Sequence, residues 1–236
     1  YRQTSDAPRS GYELDPDNQW LSRGPRFRLD GEQIRDTALA ASGILQSQLG
    51  GKSVYPYQPE GLWLELNNRP GYSKAYPQGE GTDLVRRSIY SFWKRTVPSP
   101  MLKTLDAPER EFCTVRRSRT NTPLQALLLL NGTQFMEAAQ FLAARMLLEC
   151  EGSAEQRITH GFRMVTSRKP TPEEIQILVE EYNDSILAPD SQSINDLKLG
   201  KLVNRLEGLS IDGTQLAAYL NVARILLNLD ESVTKG

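Results

Sequence analysis

Arginines and carboxylates at short spacing are the residues of this chain best suited to chemistry. Arg23, Arg26 and Arg28 precede a segment holding Glu32, Arg35 and Asp36, and Arg116, Arg117 and Arg119 form a second basic group. A guanidinium presents a rigid fork of donors that matches a carboxylate or sulfate group two bonds at a time. Glu32 and Asp36 stand one helical turn apart, a spacing that suits paired acid/base work if a cleft opens over them. Two uses compete for these side chains. In the first, Glu32 and Asp36 accept bidentate bonds from the second arginine group in a buried ion-pair network. In the second, Arg23, Arg28, Arg35, Arg116, Arg117 and Arg119 bind an anionic group of a carbohydrate, with Glu32 and Asp36 as the catalytic candidates. The carboxylates needed for pairing are present, so the residues favour the structural use.

Other signatures fall short. Gly51-Lys52-Ser53 resembles the end of a phosphate-binding loop, but Gln46 stands where that loop needs glycine. Ser91 and Lys94 have the spacing of an acyl-transfer pair without its partner motifs. His160 is the only histidine and Cys113 and Cys150 the only cysteines. The chain therefore has no multi-histidine metal site, no CxxCH for covalent haem and at most one disulfide. A Cys113–His160 dyad lacks a third group to orient it, and a buried small thiol is the plainer use of a free cysteine. Asp15, Asp17 and Asn18 surround Pro16 and lack the rest of a calcium loop, so they predict a turn held by an aspartate side chain. Tyr55, Tyr57, Trp63, Tyr72 and Tyr76 suit either a sugar-stacking wall or, more ordinarily, loop packing.

The elements that must position these residues are mostly helical. With 39% hydrophobic and 24% charged residues in 236, the chain has the composition of a globular protein with a real core. Its net charge of −1 gives no general pull toward nucleic acid, and no apolar run is long enough for a membrane span. Residues 86–119 carry nine Lys/Arg against three Asp/Glu, and residues 171–236 carry five against eleven. These regions are expected to neutralise each other. Asp30 caps a predicted helix that runs to about Gln48 and stops at Gly50-Gly51. Leu62–Leu66 predicts a short strand, and Arg87–Arg95 a strand or a helix.

Thr122 and Pro123 open a helix whose leucines, Leu124 to Leu130, predict burial nearly all round. A second helix follows Gly132, with Phe135, Ala138, Ala139, Leu142 and Met146 on one face. Ser153 with Gln156 and Thr171 with Glu174 are capping boxes that open two more. Residues 188–213 predict a linker with one weak helix, and Thr214 caps the last helix. The expected fold is mainly α, an irregular multi-helix bundle with a long ordered loop region and at most a few short strands. Residues 1–150 form the part with the Arg/Glu cluster and the central helix. Residues 151–236 pack on it, the two making one structural domain.

Several signatures occur in order: Tyr1-Arg-Gln-Thr-Ser5, Asp15-Pro-Asp-Asn18 with Arg23, Arg28 through Asp36 with Ser42-Gly43, and Gly50-Gly51. Arg87-Ser-Ile-Tyr90, Cys113 with Arg116-Arg117, Thr122 through Leu127 and Leu227 through Glu231 complete the series. Over essentially its whole length the chain resembles the planctomycete-specific domain of unknown function at the C-terminal end of large planctomycete and verrucomicrobial proteins. Those proteins commonly carry a cytochrome c domain. The resemblance implies a periplasmic or extracellular location, haem on another domain rather than in this chain, and the other domains of the same polypeptide as partners. It carries over no catalytic residues, although Arg28, Glu32, Arg35, Asp36, Arg116 and Arg117 match its pattern. Asp30-Gly31 departs from a helix-favouring pair in relatives and is expected to loosen the first turn. Tyr1 is not an initiator methionine, so the chain reads as a piece of a longer protein. The function expected is a binding or scaffolding module. The alternatives are an enzyme acting on an anionic polysaccharide and a docking surface that offers the 86–119 basic stretch to a redox partner.

Overall fold

A computed structural model describes residues 3–66, 75–188 and 212–236. The protein is mainly α-helical. Short helices α1 (Arg9–Leu14), α3 (Leu62–Leu66) and α4 (Pro100–Thr104) sit among loops, and α2 (Gly31–Ala41) lies between α1 and α3 in sequence. The larger helices are α5 (Pro123–Asn131), α6 (Thr133–Leu148), α7 (Ala154–Thr166), α8 (Pro172–Leu187) and α9 (Gly213–Leu227), followed by the single turn α10 (Asp230–Val233). Two strands, β1 (Phe27–Arg28) and β2 (Thr234–Lys235), pair antiparallel with Phe27 opposite Lys235 and Arg28 opposite Thr234. The weak helix expected within 188–213 falls almost wholly outside the described residues.

The core forms where α6 meets α9, with α7 and α8 packed beside them. Phe135, Ala138, Ala139, Leu142 and Met146 are all buried, as their helical spacing requires. From α9 they meet Leu220, Val222, Ala223 and Leu226, all fully buried. Both capping boxes form: Ser153 accepts from the Gln156 N–H and Thr171 from the Glu174 N–H. The last helix is capped by Asp212 rather than Thr214, because the Asp212 carboxylate accepts from the N–H groups of both Thr214 and Gln215.

Four further expectations are corrected. Helix α5 starts as predicted, with Thr122 accepting from the Gln125 N–H and Pro123 in the first turn, yet it is not buried all round. Only Gln125 and Leu129 are buried, while Leu124 and Leu127 are 63% and 55% exposed. It lies at the edge of the bundle, against α4, α6 and α9, so neighbours cover one side and leave the other in solvent. Helix α2 stops at Ala41, where Gly43 at φ 75° closes a Schellman motif. The Ile44 N–H bonds the Leu39 carbonyl and the Gly43 N–H bonds that of Ala40. Leu62–Leu66 is helical, not extended. Within 87–95 there is a single 3-10 turn, Ser88–Tyr90, flanked by isolated bridges from Ser91 to Val54 and from Lys94 to Val97.

Gly31 answers a packing demand. A Cβ there would stand 2.7 Å from the Leu105 Cβ and 2.8 Å from its carbonyl oxygen, so only glycine lets the first turn of α2 approach that loop.

Candidate functional site

The predicted site residues fall into three different surroundings. Arg23 belongs to the Asp15 turn. Its guanidinium donates to the carbonyls of Asp15 and Pro16, each at 2.7 Å, and lies 4.4 Å from the Tyr12 ring centroid. The Asp15 carboxylate accepts from the N–H groups of Gln19 and Trp20, which is the aspartate-held turn expected.

Arg35 faces inward from α2 and is fully buried. It donates to the carbonyls of Arg86 (2.8 Å) and Leu84 (2.7 Å), to Ser88 Oγ (3.0 Å) and to Gln134 Oε1 (3.0 Å). Burial pushes its pKa down to about 10, against the opposing pull of Asp36, so it stays charged at neutral pH. Asp36 accepts from the Ser88 N–H and hydroxyl at 2.8 and 2.6 Å. Together the two residues tie the 84–88 segment to α2. Arg86 does the same for the next loop, donating to the carbonyls of Gln48, Gly50 and Lys52 beneath the Tyr90 ring. Neither these carbonyl partners nor Gln134 carries a signal in the sequence.

The third group lies at the surface. Arg117 Nη1 donates to Glu32 Oε2 at 2.8 Å and stands 3.5 Å from Asp30, and Arg119 lies 3.7 Å from Asp30. The pairing of Glu32 with the second arginine group is thus as expected. However, the contact is a single bond at a partly exposed position, and Asp36 takes no part. Arg28 donates to Gln125 Oε1 at 2.9 Å. The Gln125 amide in turn bonds the Thr104 carbonyl, Asp106 and Thr120. Burial would raise the Asp106 pKa, but the bonds from Thr120 and Gln125 outweigh it and hold the carboxyl below its usual value. Arg116 is exposed and makes no ion pair among the described residues. It lines a shallow recess of ≈ 610 Å³ with Asp30, Val115, Arg117, Ser118 and Arg119. A neighbouring recess of ≈ 400 Å³ runs from Pro108 to Thr114 and also meets Arg117. Phe112 (78% exposed) and Val115 project between the arginines. This surface has the donors to hold an anion and the apolar groups to support a partner.

The basic and acidic stretches are expected to neutralise each other, but the described residues show no ion pair between them. Among the described residues, ion-pair partners of 86–119 are Asp30, Glu32 and Glu109. Three of the C-terminal acids pair with other arginines: Asp230 with Arg26, and Glu174 and Glu231 with Arg168, which they share. Arg87, Arg95, Arg110 and Arg116 are exposed and have no carboxylate partner among the described residues. No group of three or more His, Cys, Asp or Glu among the described residues is placed to hold a metal ion. Cys113 and Cys150 are free thiols, the first exposed, and His160 stands 3.5 Å from Glu149. Tyr55, Tyr76, Trp63 and Phe92 pack on one another with ring centroids 4.8 to 6.0 Å apart, and Trp63 is buried, which is loop packing. Tyr72 lies outside the described residues. No helix among the described residues is long and apolar enough to cross a membrane.

The PSD1 family, described as a protein of unknown function (DUF1553), matches residues 1–182, and the chain belongs to it. No curated protein and no solved structure matches the chain.

Proposed function

We propose that this member of the PSD1 family is a binding or scaffolding module whose contact surface is the 108–121 segment. The observation that carries this reading is the state of Arg116, which is exposed, has no ion pair among the described residues and lines one recess with the surface-paired Arg117 and Arg119. Such guanidiniums can meet an anion without first breaking a strong internal bond. The ligand class that fits is an anionic carbohydrate, whose sulfate or carboxylate groups take guanidinium forks. Glu32 and Asp36 are both committed to donors, Glu32 to Arg117 and Asp36 to Ser88, which supports binding over acid/base chemistry at that pair. The resemblance noted above supplies the setting. The module works outside the cytoplasmic membrane, in a larger polypeptide of planctomycete type that carries its haem on a cytochrome c domain.

A second reading, a docking surface for a redox partner, is favoured by Phe112 and Val115, which stand exposed among the arginines as anchors do at protein interfaces. One experiment separates the two. Thermal melts are recorded with heparin and with polygalacturonate, for wild type and for the double variant Arg116→Ala/Arg119→Ala. A rise in melting temperature that the double variant loses supports the carbohydrate reading. If neither polyanion moves the wild type, while an acidic cytochrome domain binds in a salt-sensitive way that Phe112→Ser abolishes, the docking reading replaces it.

A further inference from the structure

Four pairs of adjacent basic residues occur in the chain: Arg86-Arg87, Lys94-Arg95, Arg116-Arg117 and Arg168-Lys169. Such pairs suit endoproteases whose acidic specificity pocket takes an arginine or lysine side chain that is free to enter it. In three pairs the first side chain is engaged. Arg86 is buried and donates to the carbonyls of Gln48, Gly50 and Lys52. Lys94 stands 3.9 Å from the Trp63 ring centroid, and Arg168 is bonded to both Glu174 and Glu231. Their second residues lead into blocked bonds. The Ser88 N–H after Arg87 is bonded to Asp36, Val97 beyond Arg95 is buried, and Lys169 precedes Pro170, whose ring replaces the N–H at the cut. Arg116 is exposed and has no ion pair among the described residues.

The backbone matters as much as the side chain, because a protease draws several residues on each side of the cut into extended conformation. Between Pro108 and Thr122 the chain forms no helix or strand, and every residue from Arg110 to Leu124 except Arg117 is exposed. No backbone N–H or carbonyl from Arg110 to Arg119 is hydrogen-bonded among the described residues, so little has to open before this stretch is drawn straight. Its ends are fixed. The Trp93 indole donates to the Glu109 carbonyl, and the Asp106 carboxylate accepts from the Thr120 N–H and hydroxyl, both at 2.7 Å. The other arginines of the stretch are worse placed. Arg110 has a φ of 61°, which an extended substrate cannot keep, and its guanidinium lies 4.8 Å from the Trp93 ring centroid. Arg117 is held by Glu32 at 2.8 Å, and Arg119 precedes the clamped Thr120.

We propose that the Arg116–Arg117 peptide bond is a site of limited proteolysis for an endoprotease that selects arginine before the cut, and that the nicked module stays folded. Water adds across the amide and the C–N bond breaks, leaving a carboxylate on Arg116 and an ammonium on Arg117. The two parts remain joined by Arg35 to Gln134, by Arg28 to Gln125, by the β1–β2 ladder and by the packing of α2 on α6. The cut lies within the contact surface proposed above but is independent of that reading, since it uses only exposure and backbone freedom. The test is digestion of the folded chain with a low dose of trypsin, each cut being timed by mass spectrometry. The Arg116–Arg117 bond is expected to be cut at least about tenfold faster than the bonds after Arg86, Arg87, Lys94, Arg95 and Arg168. The products of that cut are expected to co-elute in gel filtration. Arg116→Gln is expected to slow cutting between Thr114 and Ser118 about tenfold, because Glu32 still holds Arg117. A rate no higher than at the other pairs, an unchanged rate in the variant, or separation of the two parts would overturn the proposal.

Discussion

Arg35 and Arg116 carry the same side chain into opposite surroundings. Around Arg35, the carbonyls of Leu84 and Arg86, the Ser88 hydroxyl and the Gln134 amide converge within 3.0 Å of the guanidinium. Around Arg116 no partner converges among the described residues, and the side chain is exposed. The difference lies in the backbone rather than in the arginine. The described residues between Ile44 and Ser99 have little regular structure, so their buried carbonyls lack ladder partners and must find donors elsewhere. Arg35 and Arg86 supply them, as Arg23 does for the Asp15 turn. In this fold most of the deeply placed arginines act as cross-ties for loop carbonyls. Those of 116–119 tie no loop carbonyl among the described residues: Arg117 and Arg119 meet surface carboxylates, and Arg116 stands exposed.

Breaking this contrast at its buried end should have the largest effect. Arg35→Met keeps the length of the side chain but orphans two carbonyls, a hydroxyl and an amide oxygen. A stability loss of about 4 kcal/mol is expected in urea denaturation. A loss below about 1 kcal/mol would mean the cross-tie account is wrong. Gly31→Ala should follow, losing about 2 kcal/mol by overpacking against Leu105 in spite of its better helix propensity. An intermediate case sharpens the comparison. Arg168 donates to Glu174 and holds that carboxyl at a pKa of about 2, against an ordinary 4.5. A depressed folded-state pKa stabilises the fold fully above pH 4.5, and that contribution is lost as the pH falls toward 2. Melting temperature should therefore drop over that window in wild type and drop less in Glu174→Gln.

At the exposed end effects should shrink. Arg117→Ala is expected to lose at most about 1 kcal/mol, and less in high salt, because its partner Glu32 remains near solvent. Arg116→Ala should change stability by no more than about 0.5 kcal/mol. A larger loss there would show that the 108–121 segment is held by this residue rather than presenting it.

What could be read from the sequence was whatever depends on neighbours in the chain. The capping boxes at Ser153 and Thr171 are local chemistry, and so is the Asp15 turn; all three form. The face of α6 follows from spacing alone. Burial of α5 does not, because a run of leucines states only that burial would be favourable, not that a neighbour exists to cover Leu124 and Leu127. The end of α2 was ambiguous for a related reason: Gly43, Gly50 and Gly51 all take positive φ, and only the first closes the helix. At the candidate site, the attraction of Glu32 for Arg117 was legible as opposite charge. The partners of Arg35 were not, since main-chain carbonyls are the same at every position and no residue type marks those left without a ladder. Gln134 gave no signal either, because a glutamine in a helix's first turn reads as an ordinary helix former.

The small β1–β2 ladder also sets how the molecule bears tension. Phe27 faces Lys235 and Arg28 faces Thr234, so the chain leading into β1 and the chain leaving β2 lie at the same end of the ladder. A pull between those two stretches loads the bonds one after another, as in opening a zipper, instead of shearing them together. This geometry yields at low force. The outer stretches would peel away and relieve the load before it reached the packed interface of α6 and α9, so the module could be tugged from both sides and keep its core.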